Sequence, residues 1–234
     1  MTRHEQVTRQ RTTELHRSLD WQLYSKIEKT LIDFCLTDLD ELNGLLETAL
    51  ETRLQSKLAE VANQGRPARP AKLSLRDRKM RRRIAHAVFA SMSRQALFLI
   101  CYARMESALD DLCNRAYDRY GLPVSPQDMK GKGLPRAREY LSKVVGLRLP
   151  TDSRAWPIIR NLGNVRNAIA HAGGRTSEEQ ERTVIAELTR SRPGCIRAGV
   201  FGTVELDSTF VPFVIQTFRS FLGELCESNI DVQD

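Results

Sequence analysis

The chain holds 234 residues, of which 41% are hydrophobic and 28% charged, with a formal net charge of +7. That is apolar material enough for one generous soluble domain, or a domain with an extension, and it excludes wholesale disorder and collagen-like repeats. No uninterrupted apolar run reaches the roughly 18 residues of a bilayer span, and the N-terminal MTRHEQVTRQRTTELHR lacks the apolar core of an export signal, so no membrane partner is expected.

Residues 12–64 contain no proline and one glycine, Gly44. Leu15, Leu19, Leu23, Ile27, Leu31, Leu42, Leu45, Leu46, Leu50, Leu54, Leu58 and Val61 recur there mostly at three- and four-residue spacings. This predicts two amphipathic helices meeting near Asp38–Gly44, or one helix bent there, as a long extension over residues 1–65. Its apolar stripe needs cover, either from a partner chain or from the body of the same protein. Gly65, Pro67 and Pro70 break the pattern.

Residues 66–83 carry nine basic side chains and one acidic, whereas residues 1–65 carry 8 and 11 and residues 84–234 carry 19 and 17. The net positive charge therefore sits in a basic linker or helix start, 66–83, where Arg81, Arg82 and Arg83 are candidates for phosphate contacts. A core helix follows from Leu75 to about Tyr120, with Phe98, Tyr102, Met105, Leu109, Leu112 and Ala116 on one face. After a breaker-rich loop at 121–135 come a short helix over 136–145 and a helix capped by Asp152 or Ser153, whose buried stripe is Ile158, Leu162, Val165, Ile169 and Ala172. Gly173 and Gly174 end it. A helix over 176–190 with Thr176 or Ser177 as its cap, a small hairpin in CIRAGVFGTVEL, and a last helix from Phe210 to Cys226 complete an all-α reading.

The five cysteines, Cys35, Cys101, Cys113, Cys195 and Cys226, are odd in number and widely spaced, which predicts reduced thiols and a cytoplasmic setting. Of the four histidines, His4 and His16 lie in a polar run and His86 stands beside the arginine block. His171 differs, because it lies roughly opposite the Ile158–Leu162–Ile169 stripe in the last turn before a double glycine, so core packing does not require it. Arg160, Asn164, Asn167 and His171 follow one another at offsets of four, three and four residues. They form a polar ladder that is either a solvated face or a functional one.

The run Arg166-Asn167-Ala168-Ile169-Ala170-His171 resembles the motif of the HEPN superfamily, whose ribonuclease members carry an arginine, often followed by a polar residue, and then a histidine after four to six positions. The same Arg-x4-His spacing recurs at Arg11–His16 and Arg81–His86, so context carries the resemblance. LFLICYARMESALDDLCNRAY is similar to the family's earlier core helix, with Glu106 as the acidic residue carried across. IIRNLGNVRNAIAHAGG is similar to the motif helix, and residues 194–225 to the hairpin and closing helix. The resemblance spans about residues 84–228. It implies a four- or five-helix HEPN-like bundle that dimerises through the motif region, here with a small β-hairpin near the C-terminus and the long N-terminal extension.

The chemistry such residues suit is metal-independent cleavage of single-stranded RNA, in which the substrate supplies its own 2′-hydroxyl nucleophile. His171 moves protons, Arg166 stabilises the phosphorane, Asn167 orients His171 or a phosphate oxygen, and Glu106 orients Arg166 or His171. Arg160 and Asn164 extend the face along the RNA. No HExxH, CxxC, Walker or GxSxG pattern occurs, so no metal or other cofactor is expected. Two alternatives stand beside an RNA-cleaving toxin or antiphage effector: a catalytically inactive HEPN interaction or nucleotide-binding module, and a basic helical nucleic-acid-binding structural protein. The expected partners are RNA, a second copy of the chain, and an antitoxin or regulatory protein.

Overall fold

The computed structural model describes residues 3–63, 74–175, 179–199 and 202–227, and for residues 3–28, 31, 32 and 180–182 the backbone alone. The Gly65–Pro70 breakers, the first part of the basic block and the Thr176/Ser177 cap lie outside them. Among the described residues the chain is helical apart from its loops and one small hairpin, in the order α1 (Arg3–Asn63), α2 (Leu75–Tyr120), α3 (Gly133–Tyr140), α4 (Ala155–Ala172), α5 (Glu179–Ser191), β1 (Ile196–Ala198), β2 (Val204–Leu206) and α6 (Phe210–Glu227). The all-α reading with a C-terminal hairpin stands.

α1 is one helix of 61 residues, continuous through Asp38–Gly44. A lone glycine inside so long a run weakens a helix without ending it. α2 starts where the basic block is still running, because Ser74 and Asp77 cap it reciprocally. Asp77 N–H donates to Ser74 Oγ at 3.1 Å and Ser74 N–H to Asp77 Oδ2 at 3.2 Å. Residues 75–83 are therefore the first turns of the core helix rather than a separate linker. Within the 121–135 loop, Ser125 caps a single 3-10 turn, Pro126–Asp128. α3 begins at Gly133, three residues before the expected start, because Leu134 and Ala137 bury there. Its continuation, Leu141–Val145, widens into a π turn that Gly146 closes at φ +83°.

By packing, the chain forms two compact units that do not follow chain order: residues 1–37, 102–159 and 216–234, and residues 38–101 with 160–215. In the first, Tyr102 meets Phe218 edge-on with ring centres 6.0 Å apart, and Trp156 stacks on Phe221 at 5.7 Å. Arg136 pairs with Asp110 at 2.9 Å, and the fully buried Tyr140 donates its hydroxyl to the Val124 carbonyl at 2.9 Å.

In the second unit, Phe98 meets Phe210 edge-on at 5.2 Å. Here α1 finds its cover within the same chain: Arg94 pairs with Glu47 at 2.7 Å, and the Arg53 guanidinium lies 3.8 Å from the Phe89 ring centre. Leu50 and Val61 are buried, whereas Leu42 and Leu45 of the expected stripe are exposed. β1 and β2 pair antiparallel with Ile196 opposite Leu206, Arg197 opposite Glu205 and Ala198 opposite Val204. The inward residues Ile196, Val204 and Leu206 are all buried.

Candidate active site

The candidate residues sit on α4, whose N-terminus is set by Ser153, the hydroxyl oxygen of which accepts from Trp156 N–H at 3.3 Å. The stripe that buries is Ile159, Leu162, Val165, Ala168 and Ile169. It is rotated from the expected one: Ile158 is half-buried and Ala172 exposed. This rotation keeps the predicted ladder on the solvent side, where Arg160, Asn164, Asn167 and His171 are all exposed. Arg166 lies beside the ladder, half-buried, and its Nη1 donates to Asn167 Oδ1 at 2.9 Å. α4 is also tied to α5, since Asn161 Nδ2 donates to Glu187 Oε2 at 2.7 Å.

The C-terminal end of α4, which carries His171, is locked by backbone geometry. Gly173 and Gly174 take φ of +59° and +80°, and Gly174 N–H folds back to the Ala168 carbonyl at 3.1 Å. The Gly174 carbonyl accepts from Val204 N–H on β2 at 2.6 Å, and Arg175 bridges to Thr203. Three polar side chains of α2 hold the hairpin from the other side. Gln95 Nε2 donates to the Val204 carbonyl at 2.6 Å, Ser91 Oγ accepts from Leu206 N–H at 3.0 Å, and Arg94 Nη1 donates to the Leu206 carbonyl at 3.2 Å. Sequence reasoning assigned none of these three a role. The signal was present as polar residues at 91, 94 and 95 on the face of α2 that also carries the buried Ala90, Leu97 and Phe98.

Arg166, Asn167 and His171 belong to the second unit and Glu106 to the first. Glu106 is half-buried on α2, with its carboxylate in the space that a Cβ on Gly133 would fill. Gly133 opens α3 at φ +58°, so glycine is required there by backbone conformation as well as by the close approach. The carboxylate thus lies against a helix N-terminus, where the peptide dipoles favour negative charge.

Arg81, Arg82 and Arg83 are exposed on the early turns of α2. His86, one turn on, is half-buried, with a buried Nδ1 that has no hydrogen-bond partner. Burial, together with the Arg53 and Arg94 charges, holds its pKa below the ordinary imidazole value. A ring that resists protonation suits packing. The buried thiols of Cys101 and Cys113 are pushed up to about 12 and that of Cys195 to about 11, in each case chiefly by burial. These three are packing residues rather than nucleophiles. Among the described residues, no three His, Cys, Asp or Glu side chains cluster closely enough to hold a metal ion.

No family model, curated protein or solved structure matches this chain.

Proposed function

We propose that the protein is a metal-independent endoribonuclease of the HEPN type acting on single-stranded RNA, with a regulatory partner such as an antitoxin to restrain it. The observation that carries the reading is the α4 face on which Asn167 and His171 are both exposed while Arg166 hydrogen-bonds Asn167. In-line attack by a 2′-hydroxyl requires a proton-transfer group and a guanidinium at one phosphate, and this helix carries both kinds of group.

In this mechanism the 2′-hydroxyl loses its proton as its oxygen bonds to phosphorus. The bond from phosphorus to the 5′-oxygen breaks, and that oxygen takes up a proton. His171 serves one of these two transfers and solvent water serves the other. Arg166 donates to the non-bridging oxygens as negative charge builds on them, and Asn167 holds the guanidinium. Arg160 and Asn164 bind the backbone further along the strand. The products are a 2′,3′-cyclic phosphate and a 5′-hydroxyl.

Arg166 and His171 are five positions apart, about 140° around an ideal helix. Two motif helices facing each other across a dimer bring Arg166 of one chain toward His171 of the other, so a shared cleft is part of the reading.

The test is cleavage of single-stranded RNA by purified protein in excess chelator, with analysis of the product ends and a DNA strand of the same sequence as control. RNA cut to cyclic phosphates, DNA left intact, and loss of cutting in His171→Ala are the expected results. A folded protein that cuts no RNA, and whose His171→Ala variant keeps its biological effect, returns the chain to the interaction-module reading.

A further inference from the structure

α2 carries a second surface that the proposed cleavage does not use. Met80, Ile84, Val88 and Met92 follow one another at four-residue intervals and are 57%, 54%, 53% and 61% exposed. Successive members turn by about 40°, so the four make a single continuous strip on one side of the helix. The strip starts inside the basic block, among Arg76, Arg78, Lys79, Arg81, Arg82 and Arg83. Asp77 is the lone carboxylate of that segment, and it is occupied in capping Ser74. From Arg78 to Met105 there is no acidic residue at all.

We propose that this strip and its cations form a docking surface for an anionic lipid bilayer, on which the N-terminal half of α2 lies in the headgroup region. Two kinds of surface stand side by side here, and the occupant must satisfy both. RNA neutralises the arginines but leaves four aliphatic side chains facing water. A second copy pairing through the same strip covers the aliphatic groups but brings cations against a stretch that again lacks carboxylates, whether the helices run parallel or antiparallel. Anionic headgroups over an acyl layer take up the charges and the apolar strip together.

By length and hydropathy alone α2 could cross a membrane: it contains an 18-residue window of mean hydropathy 1.4, of which 28% is buried. Packing argues against a span. Ala90, Leu97, Phe98 and Cys101 are buried, and Ser91, Arg94 and Gln95 are hydrogen-bonded to the hairpin. Spanning would break these contacts, whereas lying on the surface uses only the strip that the protein leaves open. The lack of an uninterrupted apolar run, from which no membrane partner is expected, bears on a span alone, whereas a helix lying in the interface needs no such run.

The experiment is co-sedimentation of the full chain with vesicles of phosphatidylcholine alone and of phosphatidylcholine doped with phosphatidylglycerol, over a range of salt. Two triple variants accompany it: Ile84→Gln/Val88→Gln/Met92→Gln, which removes the apolar strip, and Arg81→Gln/Arg82→Gln/Arg83→Gln, which removes charge. Both alter exposed positions, and circular dichroism checks their fold. The expected result is binding to the anionic vesicles alone, weakening as salt rises, with about 100-fold loss in the arginine variant and clear loss in the apolar one.

Wild-type protein that ignores anionic vesicles overturns the proposal, as does an apolar variant that binds them like wild type. Two results name another occupant. RNA affinity lost in the arginine variant without any vesicle binding assigns the surface to RNA. A dimer that the apolar variant converts to monomer, again without vesicle binding, assigns it to a second copy. RNA cleavage in solution by the apolar variant should match that of wild type, so failure of the docking surface and failure of the nuclease reading remain separate results.

Discussion

Arg166 and Asn167 are neighbours in sequence and partners in space, the guanidinium Nη1 donating to the amide oxygen at 2.9 Å. On the proposed reaction this contact aims the guanidinium rather than reacting itself. Arg166→Ala should therefore lower the cleavage rate about 10²- to 10³-fold by removing charge stabilisation, and His171→Ala about 10²- to 10⁴-fold by removing proton transfer. Asn167→Ala should cost less than either. Single-turnover kinetics of the three variants give the ranking, and an Asn167→Ala defect as deep as that of Arg166→Ala would make the amide a direct participant.

A shared cleft predicts complementation. Arg166→Ala and His171→Ala proteins, each inactive, form mixed dimers in which one of the two sites keeps both wild-type groups. Activity should appear only after subunit exchange, followed with differently tagged chains. Verified exchange without recovery would place both groups of a working site on one chain.

The lock at the end of α4 predicts a stability effect remote from any substrate. Gln95→Leu leaves the Val204 carbonyl without its side-chain donor and should cost about 1–3 kcal/mol. Gly174→Ala forces a Cβ onto a residue at φ +80° and should cost about 1–2 kcal/mol. Urea unfolding at constant pH measures both. On the proposed mechanism each variant also loses cleavage, because His171 is three residues from the glycine that the hairpin holds.

His86 predicts a pH dependence. Its folded pKa is lowered from the unfolded value of 6.5, first by burial and then by Arg53 and Arg94. Between the two values the unfolded chain binds the additional proton, so this contribution to stability is complete above pH 6.5 and is lost as pH falls through that window. His86→Gln should flatten the stability profile as pH falls below 6.5 without moving the product ends. Urea midpoints of both proteins across that range provide the comparison, and parallel profiles would remove His86 as the cause.

Periodicity and punctuation determined most of the secondary structure. α2 spans Leu75–Tyr120 as its lack of proline and glycine predicts, α4 ends at its double glycine, and the hairpin and α6 lie where turns and breakers place them. These features depend on local chemistry: caps, left-handed glycines and a 3.6-residue repeat act over a few positions. The polar ladder was legible for the same reason, since three offsets of three or four residues along one helix define a face.

What only the tertiary structure decided depends on which surfaces meet. Leu50 and Val61 are buried, on a helix that α2 holds through Arg94–Glu47 and Arg53–Phe89, while Leu45 stays exposed, although all three belong to the same predicted repeat. The buried stripe of α4 runs through Ile159 rather than Ile158, because a helix turns its face toward the neighbours it has. Ser91, Arg94 and Gln95 became hairpin ligands across more than a hundred positions of sequence. Met80, Ile84, Val88 and Met92 were left uncovered on the same helix that buries Ala90, Leu97 and Phe98. A repeat says which residues share a side. Long-range packing says which side is filled, because burial depends on surfaces that the chain brings together only when it folds.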